Sequence, residues 1–118
     1  QGAGTVINLS STMGFKGAAN ASVYTGSKHA VEGMTKAAAL EVAASGIRVN
    51  AVAPGPVQTA MFDRIAGDSA GRASFVAGIP ARRLGQPEEI AEMILFVASQ
   101  KVPFLTGEII RVNGGKTA

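Results

Sequence analysis

The feature that most constrains this chain is an apolar run, Thr5-Val6-Ile7-Asn8-Leu9, followed by a long Ala-rich helical stretch and a second apolar run, Ile47-Arg48-Val49-Asn50-Ala51-Val52-Ala53. The first run is rich in β-branched residues, as a strand buried on both faces should be. It closes on Ser10 and Ser11. The connection from Thr12 to Ser22 carries Gly14, Gly17 and Asn20, all compatible with turns. Ser22 is placed to cap a helix that runs to Ala44, with Gly26 and Gly33 as its weak points. Gly46 is a fitting C-terminal stop. The second strand ends abruptly at Pro54-Gly55-Pro56. Strand, helix and strand in this order make one parallel βαβ unit, almost always right-handed. The chain therefore reads as α/β.

Residues four apart on a helix share a face, so Tyr24 and Lys28 in the first turns of that helix can point at one spot. A serine at the carboxyl end of the first strand can reach the same spot, because the loops there line the clefts of open α/β sheets. Hydroxyl, phenol and cation together suit proton transfer. A free phenol loses its proton only near pH 10, so a phenol that works near neutrality needs a cation beside it. At about 100° per residue, Tyr24, Lys28, Val31, Ala38 and Val42 share one face, with Met34 at its edge. Ala30, Gly33 and Ala37 form another face of little side-chain bulk. Asn8 reads as a strand-end residue that bonds neighbouring loops, Ser10 as a packing or backbone-bonding serine, and His29 as structural.

The pattern S-S-x-x-G followed by Y-x-x-x-K resembles the active-site signature of the short-chain dehydrogenase/reductase family, in which the serine precedes the tyrosine by about a dozen residues, as Ser11 precedes Tyr24. Two later blocks are similar to the family as well: I-R-V-N-A-V-A-P-G-P-V-Q-T at 47–59 and L-T-G-E-I-I-R-V-N-G-G at 105–115. The resemblance implies a partial Rossmann-like, doubly wound parallel sheet of about three strands with crossover helices and a substrate lid. It implies Tyr24 as acid for carbonyl reduction and base for alcohol oxidation, Lys28 beside it and on the nicotinamide ribose, and Ser11 on the substrate oxygen. It implies a P-G-x-x-x-T loop, carried here by Pro54, Gly55, Val57 and Thr59, that meets the nicotinamide. NAD or NADP is the implied cofactor, with no preference readable. A small carbonyl or secondary alcohol is the implied substrate. A homodimer or homotetramer, pairing through the Ala-rich helix, and a cytoplasmic location are also implied.

A dinucleotide-binding fold opens with strand, Gly-rich turn and helix, and Gln1-Gly2-Ala3-Gly4 precedes a strand instead of following one. The expectation is that residues 1–118 are the C-terminal part of one NAD(P)-binding domain whose Gly-rich half lies upstream, and that this chain alone binds the cofactor weakly.

Residues 60–83 show weak helical periodicity (Met61, Phe62, Ile65, Phe75, Val76, Ile79) broken by Gly67, Gly71 and Gly78, which suits a mobile lid beside a cofactor loop. Gly85-Gln86-Pro87-Glu88-Glu89 is a strong helix start, and Ile90, Met93, Ile94 and Val97 form its buried stripe. A third strand spans Glu108–Val112.

The absence of cysteine excludes disulfides and thiolate metal sites, and the single histidine, His29, argues against a His-based one. No apolar run approaches the roughly 18 residues of a membrane helix. The net charge of +3 is scattered, and one tyrosine without tryptophan offers little for stacking on bases, which argues against nucleic acid. Two other readings stay open beside the enzyme: an interaction domain assembling through the Ala-rich helix, and a nucleic-acid binder on the strength of the basic balance.

Overall fold

The computed structural model describes residues 3–118; Gln1 and Gly2 of the opening Gly-containing stretch lie outside them. Three strands, β1 (Gly4–Leu9), β2 (Ile47–Pro54) and β3 (Ile109–Val112), form a parallel sheet in the order β1-β2-β3. The register pairs Leu9 with Val52 and Pro54 with Val112. The carboxyl ends of β1 and β2 therefore lie side by side. Parallel neighbours need a crossover, and helix α1 (Ser22–Val42) supplies the first. The second crossover carries α2 (Ala60–Ala66), α3 (Ser69–Ala77) and α4 (Pro87–Ala98). The three-strand α/β expectation holds.

Side-chain bonds assign the faces of the sheet. Asn8 donates to Thr35 of α1 at 3.0 Å and Ser10 donates to Glu32 of α1 at 2.5 Å. On the opposite face Arg48 reaches the end of α4, where its guanidinium donates to the carbonyls of Val97 and Ser99, both at 3.0 Å. The sheet is thus covered by α1 on one side and α4 on the other. Val49, Ala51, Val52 and Ala53 of β2 are buried between them.

Five local readings need correction. Ser22 is the first helical residue, and Ala21 is the cap, with no side-chain bond. Asn20 sets this start, since its φ of 63° turns the chain just before it. The helix is also shorter than its alanines suggest. Residues 43–45 tighten into a 3₁₀ turn that Gly46 ends at φ 81°. Asn8 bonds a helix rather than a loop; Ser10 is buried as a packing serine would be, but its hydroxyl bonds a carboxylate rather than backbone. The α1 stripe holds Val31, Ala38 and Val42 partly buried, but its sealed members are Glu32, Thr35 and Ala39, whereas Met34 is exposed.

Residues 60–83 resolve into two capped helices. Thr59 Oγ1 accepts from Phe62 N at 3.1 Å and Asp68 Oδ1 from Gly71 N at 2.8 Å, each closing an open helix start. Phe62 meets Phe75 edge to face at 5.2 Å between centroids and joins Ile79 and Leu84 in a small core of its own. Helix α4 begins at the Pro87 turn, where Glu89 accepts from Gln86 N at 2.7 Å. No helix among the described residues is long and apolar enough to cross a membrane.

The accessible surface is 7105 Å² for a chain of 11.9 kDa, against about 6,000 Å² for a compact domain of that mass. Large apolar side chains stand on that surface. Val6 and Leu9 on β1 are about half exposed, and Val23, Leu40 and Phe104 nearly fully so.

Candidate active site

Tyr24 and Lys28 stand one turn apart on α1. The Lys28 Nζ lies 5.6 Å from the centre of the Tyr24 ring, so a positive charge sits beside the phenol that would bear the developing negative charge. Lys28 is anchored by donating to the Leu9 carbonyl at 3.0 Å, the last residue of β1. An ammonium carries three donors, so two remain for a ligand. The Tyr24 side chain is 40% exposed, and its hydroxyl makes no hydrogen bond among the described residues. It is open to solvent.

Ser11 follows β1 by two residues, beside the end of β2, since Ser10 N donates to Val52 O at 2.8 Å. The Ser11 hydroxyl accepts from Met13 N at 3.2 Å and caps the 3₁₀ turn Thr12–Gly14. A hydroxyl has two acceptor sites and one proton. Accepting from Met13 fixes the oxygen and leaves the proton free to donate. Thr59 repeats this arrangement at the start of α2.

The Pro54–Thr59 loop leaves the neighbouring strand end. Gly55 N donates to Val112 O at 2.9 Å, and a side chain at Gly55 would run into Asn113 at 2.6 Å. Val57 pairs with Gly85, supported by Gln58 N to Gly85 O at 2.9 Å. The loop is thereby locked between β3 and the start of α4. The structure thus brings Tyr24, Lys28 and the β1 end together and sets the Pro54–Thr59 loop at the adjacent strand end. It shows no direct hydrogen bond from Ser11 or Thr59 to either helix residue. His29 bonds Thr25 O of its own helix at 2.9 Å, in keeping with a structural role.

A buried polar cluster beneath this site is absent from the sequence reading. Glu32, 5% exposed, accepts from Ser10 and holds Arg111 of β3 through two bonds, at 2.9 and 3.2 Å. Arg111 also stacks on Phe15 at 4.6 Å. Burial works to raise the Glu32 carboxyl. The bonds from Arg111 and Ser10 and the charges of Arg111 and Lys36 outweigh it and hold the carboxyl below its ordinary range. Glu32 and Thr35 are absent from the stripe read in the sequence, although they follow Lys28 at helical spacings of four and seven, and buried polar groups need partners. No cluster of metal-ligating side chains exists among the described residues.

The doubly covered parallel sheet, with a Tyr-x-x-x-Lys turn facing the end of its first strand, has counterparts among known proteins. The family model described as enoyl-(acyl carrier protein) reductase matches residues 1–117. The chain belongs to the short-chain dehydrogenase/reductase family. It is 46% identical to a cis-4-hydroxycyclohexanecarboxylate dehydrogenase of Sinomonas cyclohexanicum, covering 99% of this chain and 46% of that protein. It is 43% identical to a 3-oxoacyl-[acyl-carrier-protein] reductase of Vibrio harveyi, over 96% and 46%. Among solved structures, a Beutenbergia cavernae protein assigned as an NAD(P)-dependent gluconate 5-dehydrogenase, with NADP bound at low occupancy, superposes with a TM-score of 0.94 at 38% identity, covering 98% of this chain and 46% of that one. ElxO with NADP bound superposes with a TM-score of 0.85 at 35% identity, over 95% and 46%. The chain spans about half the length of the curated relatives it matches.

Proposed function

We propose that the protein carrying this chain interconverts a carbonyl and a secondary alcohol with NAD or NADP. The observation that carries this reading is the Tyr24–Lys28 pair, with Lys28 tied to the Leu9 carbonyl and its other donors free. Those donors, the exposed phenol and the locked loop at the next strand end suit a nicotinamide nucleotide. Lys28 and Tyr24 would hold its ribose side, and Pro54, Gly55, Val57 and Thr59 its nicotinamide side. The bound cofactor supplies or accepts the hydride.

The chain's own residues address the proton. For reduction, Tyr24 gives its hydroxyl proton to the carbonyl oxygen, and Lys28 stabilises the phenolate left behind. For oxidation, the phenolate takes the proton back. Ser11 donates its free hydrogen to the same oxygen and holds it near the phenol, a positioning role. Residues 60–83 carry substrate contacts as a lid, and residues 1–118 form the C-terminal part of a single cofactor-binding domain. The exposed face of α1, with Val23, Ala30, Met34 and Ala37, is the surface through which copies pair into a homodimer or homotetramer.

The test is oxidation of NADPH and NADH by the purified whole protein against a panel of ketones and aldehydes, with Tyr24→Phe as the partner variant. The expected result is activity that Tyr24→Phe lowers by a thousandfold or so, within the range attributed to positioned acids. No activity with any carbonyl, or full activity in Tyr24→Phe, would leave the interaction-domain reading in its place.

A further inference from the structure

We propose that Glu32 and Arg111 are positioning residues for the proton-transfer site, holding the Ser11 turn and the Tyr24–Lys28 helix in one fixed relation. The inference rests on the oxidoreductase reading above and goes beyond it. Ser10, next to Ser11, donates to Glu32 Oε2 at 2.5 Å. Glu32 lies one turn beyond Lys28 on the same helix face. Arg111 grips both carboxylate oxygens from β3 and covers the Phe15 ring at the far end of the Ser11 turn. One bidentate pair therefore ties together the end of β1, the 3₁₀ turn, α1 and β3.

The fit around the pair is close. A Cβ on Gly14 would overlap the Glu32 carboxylate and the Ser10 hydroxyl, so the backbone of the turn rests directly on the Ser10–Glu32 bond. Hydrogen bonds of this kind are directional, whereas apolar burial is not. A carboxylate is the natural choice here: it accepts from the serine with one oxygen while both oxygens meet the fork of an arginine. Loss of the pair frees the turn to shift against α1, and displacement of a catalytic group by about 1 Å can cost on the order of a hundredfold in rate.

The experiment compares the whole protein with Arg111→Met, Arg111→Lys and Glu32→Gln. Amide hydrogen exchange is read over residues 10–16, where Gly14 N donates to Ser11 O and Phe15 N to Thr12 O, with α4 as internal reference. Steady-state kinetics are read in parallel. Arg111→Met is expected to speed exchange over 10–16 at least tenfold with α4 unchanged. It should lower kcat roughly ten- to a hundredfold while KM for the nicotinamide cofactor stays within about twofold, since Lys28 keeps its own anchor on Leu9. Arg111→Lys should recover part of both. Unchanged exchange over 10–16 in folded variants overturns the proposal, and so does local loosening with kcat intact. If Arg111→Met does not fold, Glu32→Gln, which keeps size and an acceptor, gives the same readings. A wild-type protein with no Tyr24-dependent reductase activity refutes the oxidoreductase reading, and the exchange measurements then decide by themselves whether Glu32 and Arg111 hold the turn.

Discussion

Arg48 is expected to be one of the most costly single positions to truncate. It is 6% exposed in the middle of the molecule, and no carboxylate pairs with it among the described residues. Its charge is met by carbonyls: Val97 and Ser99 at 3.0 Å each and Leu105 at 3.3 Å. The first two belong to the end of α4, where carbonyls lack helical partners and the helix dipole favours a cation. Arg48→Met keeps most of the apolar stem and removes the guanidinium. Leu105 O retains the bond from Asn50 at 3.1 Å, so it is not orphaned. Val97 O and Ser99 O are left without this donor, at about 1–3 kcal/mol each.

Relief from burying a charge offsets part of that loss. The net destabilisation should be about 2–3 kcal/mol. Arg48→Lys keeps the charge without the planar fork and should cost about half as much. Urea unfolding at pH 7, followed by far-ultraviolet circular dichroism, measures both. The midpoint should fall with the slope unchanged. A midpoint for Arg48→Met equal to wild type would mean that water reaches the two carbonyls. A higher midpoint would mean that desolvation of the guanidinium dominates, and either result refutes the reasoning.

Three further outcomes follow from the same kind of accounting. Gly14→Ala should destabilise by about 1–3 kcal/mol, since the added methyl must displace Glu32 or Ser10, and thermal unfolding reads it. Asn50→Asp should cost about 3 kcal/mol or more in urea at pH 7: Asn50 is fully buried, its amide donates to Leu105 O at 3.1 Å, and a carboxylate there would face that carbonyl unprotonated. Acid should loosen the start of α4. The Arg83 guanidinium and the Gln86 amide hold Glu89 down to about 2 from an ordinary 4.5, so its contribution is present above about pH 4.5 and lost as pH falls towards 2. The urea midpoint plotted against pH should therefore fall less steeply over that window in Glu89→Gln than in wild type.

The parts of the fold legible in the sequence are those with local causes. The Pro54-Gly55-Pro56 stop, the Pro87 helix start and the Gly46 helix end each rest on the conformational limits of the residues at hand. So does the Tyr24–Lys28 pairing, which needs only helical spacing. The illegible parts depend on residues distant in sequence. Glu32 meets Arg111 79 positions away, and Arg48 meets Val97 49 positions away. No window around Glu32 announces its partner. The same holds for Asn8, whose partner Thr35 comes 27 residues later. The helix start failed for a different reason: a left-handed Asn20 moved the entry of the chain, and the serine best suited to cap fell one position inside.

The arrangement along α1 joins these two kinds of information. Tyr24, Lys28 and Glu32 follow one another at four-residue steps down one face, and exposure falls along them from an open phenol through a half-buried ammonium to a sealed carboxylate. Under the proposed function, the open end is where a reacting oxygen would enter. The sealed end is where the helix must be held, and it must be held in register as well as in place. Apolar packing against Val49 and Ala51 would keep the helix on the sheet without choosing its axial position, because small aliphatic contacts tolerate sliding. A bidentate Glu32–Arg111 pair does not, since a shift of a fraction of a turn breaks both bonds. A charged anchor two turns below the phenol therefore fits a helix whose first turns must meet a serine on another element. It also explains why the costly burial of an acid is tolerated so close to the cleft.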